Sequence, residues 1–323
     1  MKISKSAITT VVAVGIAFPM PSIAQKWPDK NVRVLVPFPP GGGTDIQARL
    51  LSTEFQKRMG QNFVVDNRTG ASGIIAAQIA AESPSDGNTI LFTSGSLSVV
   101  ATLFAKQLKF DVIKDLQAVS WISSTPLVLS LHPSVPAKSV KELIALAKRT
   151  SAGMNAGGNS SGSTAHLTAE MFNQNFGIKS TVLTYRGGGP AVIALISGEI
   201  DYIFATAPSI MPHLKTGKAH AIAVTTSKRS SVLPDLPTMS SVYPGFESDN
   251  WYAMFFPAGT SREIVNMLNT EIRNALGTEE IRKFFQREAL EPVASSPAEL
   301  STMLKREIDK YAKVIKAANI TVQ

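Results

Sequence analysis

The sequence predicts an α/β protein of two lobes, and three observations carry that expectation. Short runs of β-branched and apolar residues alternate with helical patterns along the chain, in two series that mirror each other. Each series puts a glycine-rich loop where a strand turns into a helix. With a 24-residue leader set aside, about 299 residues remain, enough for two lobes that each bury a core.

The first series opens with the Val/Leu-rich strand 32–36, the turn 37–43 and a helix over 44–59. A strand at 63–66, a helix at 73–81 and a strand at 89–93 after the Asp86-Gly87 turn complete it. The second series runs from strand 127–131 through helix 140–149, strand 153–156 and helix 164–175. It continues with strand 181–184, helix 190–197 and strands 202–205 and 221–225. Such alternation predicts mainly parallel strands. Pro234, Pro237, Pro244 and Gly245 break regular structure between 230 and 246, which reads as a surface loop. After a strand at 251–256, Ser261 begins a helix to about 275, Thr278 caps another to about 288, and a last helix spans 298–318. Segment 120–125 is the candidate crossing out of the first lobe, with 221–225 or 251–256 for the return. The expected division is 25–124 plus 248–323 for lobe 1 and 125–247 for lobe 2, the return crossing falling within 222–256.

Residues 1–24 read as an export signal. Lys2 and Lys5 precede the apolar or small run 7–18, and Ser22-Ile23-Ala24 sets cleavage before Gln25. That run is short of the roughly 20 residues a bilayer span needs. The expected mature protein is soluble and periplasmic. The chain has no cysteine, which excludes a disulfide framework, a thiolate metal site and a lipid anchor. Its formal charge of +8 is spread over scattered lysines and arginines, a solvated surface with a weak pull on anions and no nucleic-acid stripe.

Three loops carry the chemistry. In Pro37-Phe38-Pro39-Pro40-Gly41-Gly42-Gly43-Thr44-Asp45, three glycines let backbone approach a ligand, and the following helix offers unpaired N–H groups and a positive dipole end. Asp45, itself acidic, is expected to cap, orient the loop or meet a ligand donor. The second loop, Gly157-Gly158-Asn159-Ser160-Ser161-Gly162-Ser163-Thr164-Ala165-His166, sits at the equivalent point of the second series. It lacks the lysine of a P-loop, since Ser163 stands there. Gly158-Asn159-Ser160-Ser161-Gly162 does match the nucleophile elbow, with Asp201 and His213 or His220 downstream, so a secreted serine hydrolase is the competing reading. The third loop is Tyr185-Arg186-Gly187-Gly188-Gly189-Pro190: Tyr185 lines a wall or bonds a ligand, and Arg186 pairs with a carboxylate or faces water. No acid–base pair stands out, and His132, His166, His213 and His220 are too dispersed for a metal, so neither a catalytic set nor a cofactor is expected.

Val36-Pro37-Phe38-Pro39-Pro40-Gly41-Gly42-Gly43-Thr44-Asp45, Asp66-Asn67-Arg68-Thr69-Gly70-Ala71-Ser72-Gly73 and Ser85-Asp86-Gly87-Asn88-Thr89 resemble the opening of the tripartite tricarboxylate transporter receptors, the Bug proteins. The likeness continues through Gly162-Ser163-Thr164-Ala165-His166-Leu167, Tyr185-Arg186-Gly187-Gly188-Gly189-Pro190-Ala191 and Ser197-Gly198-Glu199-Ile200-Asp201 to Phe256-Pro257-Ala258-Gly259-Thr260. The resemblance implies a monomeric periplasmic receptor of the type II binding-protein fold, with a ligand cleft between two lobes. It also implies a small carboxylate ligand (a di- or tricarboxylate, an acidic amino acid or an aromatic acid) and a tripartite tricarboxylate-type membrane permease as partner. The ligand-binding residues so implied are Phe38, Gly41, Gly42, Gly43, Thr44, Asp45, Asn159, Ser161, Gly162, Ser163 and Thr164, and Ser94, Tyr185, Ala205 and Thr206 complete the expected set. At 205–206, where family members often carry Asp or Asn, this chain has Ala205 and Thr206, and Thr69 replaces the usual proline. The far end of the ligand is thus left open.

Overall fold

The structure is a computed structural model and describes residues 27–185, 187–226, 228–230, 233–317 and 320. The expected export signal and Arg186 lie outside the described residues. In chain order the elements are β1 (Val32–Val36), α1 (Gly43–Met59), β2 (Phe63–Asn67), α2 (Ile74–Ala81), β3 (Thr89–Ser94), α3 (Ser96–Leu103) and β4 (Leu116–Leu131). Next come α4 (Val140–Arg149), β5 (Met154–Gly158), α5 (Thr164–Phe176), β6 (Ser180–Thr184), α6 (Gly188–Ser197), β7 (Tyr202–Thr206), α7 (Ala207–Lys215) and β8 (His220–Val224). The chain ends with β9 (Asp249–Pro257), α8 (Arg262–Leu276), α9 (Glu279–Arg287), β10 (Glu291–Pro292) and α10 (Pro297–Ala317).

The strands follow the order β2-β1-β3-β9-β4-β7-β5-β6, with β8 and β10 also paired to β4. The expectation of mainly parallel strands needs correction. β1 pairs in parallel with β2 and β3, and β5 with β6 and β7, but every pairing of β4 and β9 is antiparallel. The cause is topological: a chain that leaves one half of the sheet and later returns must lay its two crossing strands in opposite directions.

Segments 120–125 and 127–131, read separately from sequence, form one 16-residue strand. Its first part pairs with β9, ending at Pro126 opposite Asp249, and its second part with β7 and β8. Pro126 lacks an N–H, so the ladder changes hands there. Leu127 then donates to the Thr225 hydroxyl at 3.1 Å and Thr225 N–H to the Leu127 carbonyl at 3.0 Å.

Each half buries its own core on both faces of its sheet: Phe55, Phe92 and Phe256 in one, Phe172, Tyr202 and Phe204 in the other. α10 joins them. Its Leu300, Met303 and Leu304 pack in the first half, its Val314 in the second, and its Tyr311 against both Leu103 and Leu167.

Helices α3 and α7 were not expected. α3 follows a serine-rich start on a short apolar run, which has no decisive period. α7 carries Pro212 inside it, a usual breaker, while Pro208 at its first turn is harmless. The 230–246 segment is more than a surface loop, since its Met239 and Phe246 are buried in the second core. Thr278 stands at the start of α9, but its hydroxyl donates back to the Ala275 carbonyl instead of capping the helix. Among the described residues no helix is long and apolar enough to cross a membrane.

Candidate functional site

A cavity of about 670 Å³ opens between the two halves of the molecule, where the first turns of α1, α3, α5, α6 and α7 meet. Each helix start carries backbone N–H groups without an intrahelical partner and the positive end of a dipole. Five such ends around one space make it a receptor for negative charge or for oxygen acceptors.

The β1–α1 loop is shaped from behind. Gly41 takes a left-handed φ of +82°, and its N–H donates to Asp45 Oδ2 at 2.9 Å. Asp45 is buried. Its Oδ2 also accepts from Arg49 Nε at 2.9 Å and its Oδ1 from Asn67 Nδ2 at 2.9 Å, and that same amide donates to the Phe38 carbonyl at 2.9 Å. Burial alone would raise the Asp45 pKa, but hydrogen bonds from Arg49, Gly41 and Asn67 outweigh it and hold the carboxyl below its usual range. Asp45 therefore orients the loop and does not line the cavity.

The β5–α5 loop is held by its own helix. Ser163 caps α5 through its hydroxyl, which accepts from the His166 N–H at 3.2 Å and the Ser160 N–H at 3.3 Å. Gly162, at φ +73°, donates its N–H to His166 Nδ1 at 3.0 Å. A Cβ on Gly162 would also sit 3.0 Å from Leu103 on α3. Burial lowers the His166 pKa and so favours the neutral ring, whose Nδ1 accepts this bond. This histidine belongs to the loop's framework, a role that sequence reading missed.

Of the fifteen expected residues, eleven line this cavity and four do not. Asp45 lies behind the first loop. Ser161 points its carbonyl to Ser72, 3.4 Å away, while its neighbour Ser160 lines the wall in its place. Ala205 is buried within β7 and only Thr206 reaches the cavity. Tyr185 turns aside to donate to Glu199 Oε1 at 2.8 Å, and burial followed by that carboxylate pushes its pKa up to about 12.

The floor comes from residues that sequence reading did not select. Gln47, one turn into α1, accepts from the Ser123 hydroxyl at 2.7 Å and donates to the Gly43 carbonyl at 3.2 Å. Asn250 and Tyr252 come from β9, and Phe284, Glu288 and Leu290 from α9 and the turn after it. Among the described lining residues Glu288 is the one charged side chain, and Arg287 pairs with it at 2.8 Å. An anion here meets backbone dipoles and hydroxyls, with no described cationic side chain on the wall.

The nucleophile-elbow pattern does not fold as an elbow. That motif needs its serine on a strained turn. The described non-glycine residues with positive φ are Ala71, Ser72, Ala289 and Ala294, and Ser160 is not among them. His220 bonds the Ala137 carbonyl at 2.9 Å, beside a separate cavity of about 960 Å³, and Asp201 accepts from the Asn155 N–H at 2.7 Å.

Comparison with known proteins bears on the fold and the family. Protein BugT of Bordetella pertussis is 34% identical over 308 residues, covering 95% of this chain and 94% of BugT. Among solved structures, Rpa4515 of R. palustris with adipate superposes with a TM-score of 0.82 at 34% identity, over 91% of this chain and 99% of that one. MatC from Rhodopseudomonas palustris with bound malate superposes with a TM-score of 0.79 at 29% identity, over 90% of this chain and 100% of that one. These similarities carry the two-lobed periplasmic binding-protein fold. Residues 47–320 match the Tripartite tricarboxylate transporter family receptor, and the chain belongs to that family of periplasmic solute-binding receptors.

Proposed function

We propose that the protein captures a small carboxylate in this cavity and delivers it to a tripartite tricarboxylate-type membrane permease. The carrying observation is the convergence of five helix starts on a space whose described wall has no cationic side chain. One ligand carboxylate lies against the 41–44 and 159–164 loops, at those of their backbone N–H groups and hydroxyls that are not already engaged within the protein. A carboxylate there replaces water at N–H groups that the fold already holds in place, so little ordering cost is left to binding.

In this reading the lobes are 25–124 with 248–323 and 125–247, the chain leaving along β4 and returning along β9. The mature, monomeric protein begins at Gln25 in the periplasm. The adipate and malate in the two similar structures support a small carboxylate, and the class proposed is a di- or tricarboxylate, acidic amino acid or aromatic acid.

A thermal-shift screen of a carboxylate panel on the mature protein tests the proposal. A ligand at about 100 times its Kd adds roughly 2.7 kcal/mol of stability. A panel of di-, tri-, amino and aromatic carboxylates that leaves Tm unmoved would reject it.

A further inference from the structure

We infer that Glu288 is a specificity-determining residue, whose carboxylate reads an ammonium group on the ligand and turns away a second carboxylate. This rests on the carboxylate-receptor reading and narrows it to aminocarboxylates, acids with a carboxylate at one end and an ammonium at the other.

The cavity has two poles. One is made by the five helix starts, which favour negative charge. Helix α9 brings the other. Near its start Glu280 pairs with Lys57, close to the end of α1, at 3.1 Å. Its Phe284 and Glu288 line the cavity together with Gly43, Thr44, Ile46 and Gln47 from the beginning of α1. The two helices therefore run in opposite directions, and the cavity meets the C-terminal end of α9 beside the N-terminal end of α1. A helix C-terminus carries the negative end of a dipole, and Glu288, the C-cap of α9, adds a full negative charge to it.

Glu288 is open to a ligand. Its side chain is 31% exposed, and Arg287 Nε donates to its Oε1 at 2.8 Å, while Oε2 has no partner among the described residues. Arg287 does not line the cavity; its side chain is 70% exposed, with the guanidinium 5.2 Å from the centre of the Phe284 ring. An exposed pair of this kind offsets little of the carboxylate's charge. The carbonyl of the next residue, Ala289, accepts from the Thr125 hydroxyl on β4 at 3.2 Å, which ties the end of α9 to the crossing strand and holds Glu288 at the wall.

The rest of the wall decides which ligand this charge favours. The other described polar side chains there, among them Gln47, Asn159 and Asn250, are neutral. Ile46, Leu127, Phe284 and Leu290 share the wall and displace water, so a charge is screened less than it would be in bulk solvent. A dicarboxylate with one end at the glycine loops brings like charge toward Glu288, with no described cation on the wall to offset it. An ammonium in that place pairs with Oε2. A methyl end gains neither interaction.

Calorimetric affinities for 4-aminobutyrate and glutarate, and for 5-aminopentanoate and adipate, test the assignment, because each pair shares a carbon chain and exchanges an ammonium for a carboxylate. We expect the amino member of at least one pair to bind about tenfold or more tighter. Glu288→Gln keeps the shape and should remove most of that preference, weakening the amino acid about tenfold and strengthening its dicarboxylate partner. Glu288→Lys should reverse the order. The ligand-free Tm of Glu288→Gln should hold, since only an exposed ion pair is lost, and Arg287→Ala should leave the preference standing. No amino preference in the parent protein, equal weakening of both members in Glu288→Gln, or a preference kept there and lost in Arg287→Ala overturns the inference while leaving the receptor reading intact. Failure of all four acids to bind rejects the aminocarboxylate assignment, and the wider thermal-shift panel then decides the receptor reading separately.

Discussion

The carboxylate of Asp45 accepts the N–H of Gly41 at 2.9 Å, four residues back along the chain, and so closes the glycine loop against the first turn of α1. Its other oxygen reaches Asn67, which in turn holds the Phe38 carbonyl, so one buried acid fixes both ends of the loop. Asp45→Ala leaves the Gly41 N–H and the Asn67 amide without that acceptor. We expect a stability loss of about 2–3 kcal/mol, and an affinity loss of about tenfold or more because the N–H groups lose their alignment. Denaturant unfolding and calorimetry measure the two separately, and a variant with parental affinity would show that the loop holds its shape without the acid.

The same loop separates the roles of its glycines. Gly41 needs its left-handed φ, whereas Gly42 has φ −79° and a Cβ there would meet only the Pro39 carbonyl, at 3.5 Å. Gly42 is thus not held by backbone conformation. Gly41→Ala should cost about 1 kcal/mol or more in stability. Gly42→Val should fold nearly as well yet bind at least tenfold more weakly, about 1.4 kcal/mol, if ligand comes against that backbone. Parental affinity in Gly42→Val would move the carboxylate away from the loop.

How much of this was legible in the sequence depends on sequence distance. The β1–α1 and β5–α5 loops could be read because a glycine run where an apolar strand turns into a helix brings open backbone to the edge of an α/β sheet where ligands bind. Gln47 could not be read as a wall residue, because its partner Ser123 lies 76 residues away, although a polar residue among the buried Thr44, Ala48 and Leu51 was a usable signal. Asn250, Tyr252 and Glu288 come from a return strand and a tail helix whose placement only the topology decides. Tyr185 shows the opposite limit: it sits in the third glycine loop, but Glu199, 14 residues on, draws its side chain away from the cavity.

His166 should make ligand binding sensitive to acid. Its folded pKa lies below its ordinary 6.5 because of burial, and protonation would set an N–H against the Gly162 N–H. Glu170 is 3.8 Å from Nε2, too far for a hydrogen bond, and burial raises its own pKa. A lowered pKa means that the contribution of His166 is complete above about 6.5 and is lost as pH falls through the folded value. Affinity should be level from pH 7 to 8 and decline toward pH 5 (roughly the range over which a depressed imidazole titrates). His166→Asn keeps an acceptor near the Nδ1 position and should flatten that decline. An unchanged slope in the variant would assign it to another group.

Asp249 gives the opposite dependence at the crossing between the halves. It begins β9 opposite Pro126, and its Oδ1 is buried without a hydrogen-bond partner. Burial first, then the charge of Glu247, with smaller pushes from Glu307 and Glu291, raises its pKa to about 7. Lys310 opposes the shift, but its ammonium is engaged with Glu307 at 2.7 Å and the Glu247 carbonyl at 3.4 Å. The folded state thus holds the proton more tightly than the unfolded chain, whose aspartate titrates near 3.8. Stability from this residue is complete below that value and is lost as pH rises through about 7. Asp249→Asn keeps the shape and removes the titration. It should match the parent near pH 4 and exceed it at pH 8, by up to about 4 kcal/mol. Thermal melts of both proteins across that range give the comparison, and a difference that does not grow with pH would mean that Asp249 stays ionised at the crossing.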